Sequence, residues 1–178
     1  MHRDLDCILF EEQTLQDKIT EVGKAITADY RDKNPIFIGV LKGSFMFMAD
    51  LIRAVDTPCQ IEFMGVSSYG NKSETTGAVR ITQDLTTDIE NRHVIVVEDI
   101  LDSGLTLSYL LRYLGGRRPA SLEVCTLLDK PERRRVDVRV KYTGFQIPDA
   151  FVVGYGLDFA EKYRNLPYVG ILKPSVYQ

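Results

Sequence analysis

Residues 94–106 have the sequence Val94-Ile95-Val96-Val97-Glu98-Asp99-Ile100-Leu101-Asp102-Ser103-Gly104-Leu105-Thr106. The four β-branched residues at the start do not alternate with polar ones, which is typical of a parallel strand buried on both faces. Carboxylates follow where that strand is expected to end, and the leucine-rich run over residues 105–114 predicts a helix. The stretch therefore predicts a strand, a tight polar turn and a helix of an α/β fold.

The turn in this unit has the features of a phosphate site. A helix N-terminus offers unpaired N–H groups and the positive end of the helix dipole to an anion. Gly104 lets the backbone approach closely, and Ser103 and Thr106 add hydroxyl donors. The carboxylates of Glu98 and Asp99 would repel a phosphate unless they hold a cation or sugar hydroxyls. We therefore expect a ligand with phosphate and hydroxyl groups, bound together with a divalent metal such as Mg²⁺.

The same order of elements recurs along the chain. Residues 36–41 predict a buried strand, Lys42-Gly43-Ser44 a polar turn, and residues 45–55 a helix. Further strands are predicted at 60–67, 79–83, 120–128 and 168–172, and an amphipathic first helix from Thr14 to about residue 32. This alternation predicts an α/β fold with a mostly parallel twisted central sheet and helices on both faces. The candidate site residues all fall at strand ends, where such sheets bind ligands.

Composition limits the class of protein. The chain has 178 residues, which favours a single domain, and its net charge of −3 argues against a nucleic-acid partner. Three widely spaced cysteines suggest reduced thiols in a cytoplasmic protein, and two histidines disfavour a histidine-based metal site. No signal peptide or membrane span is evident, so we expect no membrane partner.

Residues 98–106 resemble the phosphoribosyl pyrophosphate (PRPP) loop of the type I phosphoribosyltransferases, and the rest of the chain resembles their hypoxanthine-guanine branch of bacterial type. The resemblance implies a purine-salvage enzyme that transfers 5-phosphoribosyl from PRPP to N9 of hypoxanthine or guanine, using Mg²⁺. The products would be IMP or GMP and pyrophosphate. It also implies one domain over residues 1–178, a small hood formed by the N- and C-terminal segments, a mobile loop near 68–80, and a homo-oligomer (dimer or tetramer).

The resemblance assigns roles residue by residue. Asp102 would be the catalytic acid/base for the purine N7 proton. The phosphate and ribose of PRPP would be held by Glu98, Asp99, Asp102, Ser103, Gly104, Leu105 and Thr106. Pyrophosphate would be held by Lys42, Gly43, Ser44 and Arg164. In the resembled family, the turn that corresponds to residues 41–44 often contains a cis peptide bond before a residue other than proline. The purine would contact Lys130, Phe151, Val152 and Asp158, the lid would use Ser68 and Tyr69, and the metal ligands would be Glu98, Asp99 and Asp158.

Simpler structural roles compete with some of these assignments. Asp102 could be a helix N-cap, Phe151 a core aromatic, and Arg164 an exposed charge on a helix. Residues 133–135, three consecutive arginines, are expected to form a solvated face.

Three other functions also remain open. They are a xanthine-preferring phosphoribosyltransferase, a PRPP-sensing regulator that binds nucleic acid, and a phosphoacceptor signalling domain. The positions of Asp102 and Lys130 and the acidic balance favour an enzyme over a regulator. Three acids in one loop disfavour the signalling domain, which takes its acids from separate strands.

Overall fold

The computed structural model describes residues 1–69 and 78–178, and the side chains of all of these except Ser68, Tyr69 and Ala78. The strands are β1 (Leu5–Phe10), β2 (Ile36–Leu41), β3 (Gln60–Tyr69), β4 (Ala78–Gln83), β5 (His93–Leu101), β6 (Ser121–Asp129), β7 (Tyr142–Gln146), β8 (Val152–Val153) and β9 (Val169–Leu172). The helices are α1 (Glu12–Asp29), α2 (Phe45–Ala54), α3 (Leu105–Gly115) and α4 (Pro174–Tyr177).

The central sheet has six strands in the order β4-β3-β2-β5-β6-β7. β4 pairs antiparallel with β3, and the other neighbours pair parallel. The α/β class with a mostly parallel sheet is thus confirmed. The carboxyl ends of the parallel strands meet at one edge, where the predicted site residues lie.

Helices cover both faces of this sheet, which explains why its central strands are apolar without alternation. Ile95 and Val97 pack in one core with α1 and α2, whereas Val94 and Val96 pack in a second core with α3. All four side chains are fully buried. Because successive side chains of a strand point to opposite faces, burial on both sides requires an apolar residue at every position.

A second, smaller sheet joins the two ends of the chain. Its strands have the order β1-β9-β8 and pair antiparallel, with Leu5 opposite Leu172. The Leu172 N–H donates to the Phe151 carbonyl at 2.8 Å, which ties this sheet to a predicted purine contact.

Some predicted boundaries are wrong. β5 continues through Glu98 and Asp99 to Leu101, because β6 continues beside it and keeps the ladder paired as far as Asp129. α1 begins at Glu12, without a side-chain cap, and ends at Asp29. The sequence predicted neither β1 nor β7. Among the described residues, no helix combines the length and the apolar character needed to cross a lipid bilayer.

Candidate active site

The turn between β2 and α2 lies directly against Asp99. The Leu41–Lys42 peptide bond in this turn is cis. A Cβ added at Gly43 would overlap Asp99 Oδ2, and one added at Gly156 would overlap the Gly43 carbonyl oxygen. Glycine at these positions therefore allows two backbone segments and a carboxylate to meet without a gap.

Ser44, predicted to contact pyrophosphate, has its side chain turned away from this meeting point. The side chain is fully buried, and its hydroxyl donates to the Val40 carbonyl at 2.6 Å. The hydroxyl thus ties the turn back to β2 and does not cap α2, and any ligand contact at this position would have to come from the backbone.

Glu98 and Asp99 form a carboxyl pair that favours a cation. Burial, reinforced by the neighbouring charge of Asp99, raises the pKa of Glu98 well above its ordinary value. Burial also raises the pKa of Asp99, against the opposing effects of the Ile100 N–H, which donates to Oδ1 at 2.8 Å, and of Arg164. A divalent cation would offset both the burial cost and the mutual repulsion.

The small number of carboxylates that lie together here suits Mg²⁺. Among the described residues, no three His, Cys, Asp or Glu side chains are grouped closely enough to hold a metal by themselves. Mg²⁺ commonly takes only one or two protein carboxylates and completes its shell with phosphate oxygens and water. Asp158, the third predicted ligand, lies in the wall of the same cavity as the carboxyl pair.

That cavity has a volume of about 390 Å³ and brings together most of the predicted phosphate, ribose and pyrophosphate residues. Its wall includes Lys42, Gly43, Glu98, Asp99, Asp102, Ser103, Gly104, Thr106, Asp158 and Arg164, together with the unpredicted Ile100 and Leu157. Ser44 and Leu105 do not line it. We call it the anion cavity.

The phosphate turn sits at the start of α3. Gly104 has φ of 84°, and a Cβ there would lie 2.8 Å from the Val136 carbonyl oxygen. The N–H groups of Arg135 and Val136 donate to the Ser103 carbonyl at 2.9 and 3.2 Å. The Leu105 N–H donates to Ser103 Oγ at 3.3 Å. The segment after β6 therefore supports this turn through two main-chain hydrogen bonds to Ser103.

Arg164 is not on a helix, so the interpretation as an exposed helix charge is wrong. Tyr163 before it has φ of 76°, and the Arg164 side chain is 21% exposed. Nη1 donates to the Gly156 carbonyl at 2.7 Å, and Nη2 lies 3.1 Å from Asp158 Oδ1. Nε is buried and has no hydrogen-bond partner among the described residues. A buried donor without a partner is costly, and a ligand oxygen would satisfy it.

Glu161 is a charged neighbour that the sequence did not reveal. Its carboxylate lies 3.1 Å from Lys42 Nζ and 3.3 Å from Arg164 Nη2. It contacts both of the predicted pyrophosphate cations, although neither periodicity nor spacing in the sequence connects it with Lys42.

Two further cavities lie beside the anion cavity. The smaller, of about 150 Å³, is lined by Ile100, Asp102, Lys130, Phe151, Val152, Leu157 and Asp158, and thus contains all four predicted purine contacts. The larger, of about 330 Å³, is lined by Asp102, Lys130, Arg133, Asp149, Ala150, Phe151 and Tyr177. Lys130 is 8% exposed, so its side chain is not an ordinary surface lysine.

Phe151 belongs to an aromatic cluster rather than to the main core. Its ring stacks on Tyr177 of α4 with centroids 4.8 Å apart, and Phe159 meets it edge-on at 5.6 Å. Val152, in β8, pairs with Ile171 of β9. The second sheet and α4 thus hold the segment that carries the predicted purine contacts.

Asp102 lies in the wall of all three cavities. The N-cap of α3 is Gly104, with no side-chain cap, so the N-cap interpretation of Asp102 is wrong. The solvated-face interpretation of residues 133–135 holds for Arg133 and Arg135, which are exposed, and is wrong for the half-buried Arg134. Arg133 Nε donates to Asp102 Oδ1 at 3.3 Å, and Arg134 donates to the Asp102 carbonyl and pairs with Asp129.

The predicted lid falls mostly outside the described residues. Ser68 and Tyr69 end β3, where they pair with Val79 and Ala78 of β4. Residues 70–77 lie outside the described ranges, so the lid stays a prediction.

Comparison with known proteins agrees with this geometry. The family model described as "Phosphoribosyl transferase domain" matches residues 8–160. A hypoxanthine-guanine phosphoribosyltransferase from Bacillus subtilis is 51% identical over 178 residues, which is 100% of this chain and 99% of the relative. A crystal structure of a hypoxanthine phosphoribosyltransferase from Staphylococcus aureus is 52% identical, with a TM-score of 0.97 and coverage of 100% of this chain and 97% of that one. A Bacillus anthracis hypoxanthine-guanine phosphoribosyltransferase, with HEPES in the active site, is 50% identical, with a TM-score of 0.91 and coverage of 95% and 99%.

Proposed function

Because the chain belongs to the phosphoribosyltransferase family, we propose that it transfers the 5-phosphoribosyl group of PRPP to N9 of hypoxanthine or guanine. The products are IMP or GMP and pyrophosphate, and the role is purine salvage. One observation carries the proposal: the Asp102 side chain lies in the wall of both the anion cavity and the two cavities beside it. A reaction that joins a sugar phosphate to a base needs such a junction.

PRPP binds in the anion cavity. The N–H groups and hydroxyls of residues 103–106 anchor the 5-phosphate at the start of α3. Glu98 and Asp99 hold the ribose hydroxyls, directly or through a metal-bound water. Fixing the sugar at both points keeps its reacting carbon in one place, which lowers the entropic part of the barrier.

Pyrophosphate lies toward the other end of the same cavity. It would contact Lys42, the backbone of the turn at Gly43 and the Nε of Arg164, which has no hydrogen-bond partner among the described residues. One or two of the carboxylates of Glu98, Asp99 and Asp158 would hold Mg²⁺ together with phosphate oxygens and water, and the bound ion would neutralise pyrophosphate charge.

The purine binds in the smaller neighbouring cavity. Phe151 stacks on the ring, Val152 contacts the purine edge through its main chain, and Lys130 donates to the 6-oxo group. Adenine carries an amino group there and would place a donor against a donor, so the site rejects it.

Asp102 acts as the acid/base. As the bond from C1 to pyrophosphate breaks, positive charge builds on the sugar and the purine attacks through N9. The carboxylate of Asp102 takes the proton from N7 of the purine as charge develops there. Its position between the cavities lets it face the base without leaving the PRPP loop.

The experiment is a nucleotide-formation assay with Mg²⁺, PRPP and each of hypoxanthine, guanine, xanthine and adenine. We expect IMP and GMP, and no AMP. XMP as the preferred product would support a xanthine-preferring enzyme. Absence of any nucleotide, together with retention of RNA or DNA in a filter-binding test, would support a nucleic-acid-binding regulator.

Three wider features belong to the same proposal. The sheet of β1, β8 and β9 acts as the hood over the purine within one domain, and the lid at Ser68 and Tyr69 covers the ribose. The protein is a homo-oligomer, dimer or tetramer, and Phe45 and Ile61, 43% and 55% exposed, are apolar surface for such contacts. Light scattering of the purified protein would measure the oligomeric state.

A cytoplasmic location suits three cysteines that form no disulfide.

A further inference from the structure

We propose that Arg133 is a positioning residue, which holds the Asp102 carboxylate toward the purine and is itself held by Asp149. The proposal rests on the proposed function, because it concerns the acid/base of that reaction. It gives a role to an arginine that the sequence placed on a solvated face.

The geometry places one guanidinium between two carboxylates. Arg133 Nε lies 3.3 Å from Asp102 Oδ1, and Nη1 lies 3.6 Å from Asp149 Oδ2. All three side chains line the cavity of about 330 Å³ that also contains Lys130 and Phe151. Arg133 therefore connects the PRPP loop with the segment that carries the purine contacts.

Main-chain hydrogen bonds fix the position of the Arg133 backbone. The Lys130 N–H donates to the Leu101 carbonyl at 2.9 Å, and the turn of 3-10 helix Pro131–Arg133 follows at once. The next arginine acts on a different atom, because Arg134 donates to the Asp102 carbonyl and pairs with Asp129. Arg134 thus fixes the backbone of Asp102, whereas Arg133 fixes its carboxylate.

The second carboxylate has a role in the charge balance. A guanidinium keeps its charge at any pH at which the protein is folded. When Asp102 accepts the N7 proton it becomes neutral, and a guanidinium paired with Asp102 alone would then lie unpaired beside the base. Asp149 keeps that charge paired, so the proton transfer creates no isolated cation at the purine edge.

The contact is too exposed to contribute much to folding. The side chains of Arg133, Asp102 and Asp149 are 55%, 44% and 45% exposed, and ion pairs of this kind add little to stability. Removal of the guanidinium should therefore appear in the kinetics with the purine and leave the thermal midpoint unchanged.

The test compares Arg133→Met, Arg133→Lys and Asp149→Asn in steady-state assays with Mg²⁺, PRPP and hypoxanthine. We expect Arg133→Met to lower kcat by roughly 10-fold, with the KM for PRPP unchanged within about twofold. The loss is smaller than the roughly 100-fold cost of a 1 Å displacement, because Arg134 still holds the Asp102 backbone. Arg133→Lys should recover part of the loss, because lysine keeps the charge but not the planar fork. Asp149→Asn should cause a smaller loss than Arg133→Met.

Arg118→Met is the matched control. Arg118 is 78% exposed and pairs with Glu90, and neither residue lines any of the three cavities. Wild-type kcat and KM in Arg133→Met would overturn the proposal. So would an equal loss in Arg133→Met and Arg133→Lys with a raised KM for PRPP, which would indicate a general structural role. A wild-type protein without transferase activity would overturn the proposed function first, so the two failures are distinguishable.

Discussion

The anion cavity and the two cavities beside it, which both include Lys130 and Phe151 and which we call the purine cavities, are built by different means. On the anion side, backbone contacts set the geometry, because Gly43 and Gly156 bring two segments against Asp99 and Gly104 turns the chain into α3. On the purine side, the lining residues include Lys130 and Phe151, whose side chains are the predicted purine contacts. A phosphate offers the same oxygens in every direction and suits rigid main-chain donors, whereas a base must be distinguished at its edges and requires particular side chains.

This contrast predicts which substrate's kinetics each substitution will change. Substitutions on the anion side should change the kinetics with PRPP, and those on the purine side the kinetics with the base. Asp102 belongs to both sides, so its effect should appear in the chemical step itself.

The largest effect is expected from Asp102→Asn. An amide cannot accept the N7 proton, and loss of an acid/base slows the chemical step by roughly 10²- to 10⁴-fold. Because the loop backbone and the other carboxylates remain, the affinity for PRPP should change little. Rapid-quench single-turnover rates measure the first quantity and calorimetric titration with PRPP the second. A single-turnover rate near that of wild type would refute the role of Asp102.

Gly43→Ala should have the next largest effect, on the anion side alone. The new Cβ would overlap Asp99 Oδ2, so the turn or the carboxylate must shift. Displacement of about 1 Å in a positioning group can cost 100-fold, so we expect kcat/KM for PRPP to fall by about that factor. Gly115→Ala is the control, since a Cβ there meets nothing within 4 Å. A comparable rise in the KM for hypoxanthine would contradict the prediction that this substitution affects the kinetics with PRPP alone.

Lys130→Ala should act on the purine side. The loss of a charged hydrogen bond to the 6-oxo group is expected to raise the KM for hypoxanthine roughly 10- to 100-fold and to weaken discrimination against adenine. The KM for PRPP should stay near its wild-type value. Steady-state assays with each substrate varied in turn would measure both, and equal losses would count against the assignment.

The smallest effect concerns stability. The raised pKa of Glu98 means that the folded, ligand-free protein favours the protonated form. This contribution is present below the ordinary value of 4.5 and is lost as pH rises through the higher folded-state pKa. Glu98→Gln should therefore flatten the fall in thermal midpoint as the pH rises above about 4.5, by roughly 2–4 °C. Calorimetry without ligand would show it, and parallel curves for the two proteins would contradict it.

The sequence predicted the anion side better than the purine side. Residues 98–106 are contiguous, so their order alone indicated a strand, an anion turn and a helix. The burial of β2 and β5 on both faces was visible in the same way, as runs of apolar residues. The resemblance to the family, rather than periodicity, was what connected Lys130 and Phe151.

Long-range contacts were out of reach. Glu161 meets Lys42 across 119 positions of the chain, and Tyr177 reaches Phe151 only because β9 and α4 fold back beside it. Three consecutive arginines predict solvation, because composition alone does not show that the turn after Lys130 directs Arg133 at Asp102. The end of β5 was misplaced for a similar reason: β6 pairs with it past Glu98, and a partner strand cannot be seen in the strand's own sequence.

The most direct test of the account is the distance from the Asp102 carboxylate to N7 of hypoxanthine. It can be measured in a crystal structure of the protein with Mg²⁺, an unreactive PRPP analogue and hypoxanthine. We expect a hydrogen bond of roughly 2.6–3.2 Å, with the analogue's 5-phosphate at the start of α3. A carboxylate turned away from the base, or a base bound outside the cavity that Asp102 shares with Lys130 and Phe151, would contradict the account.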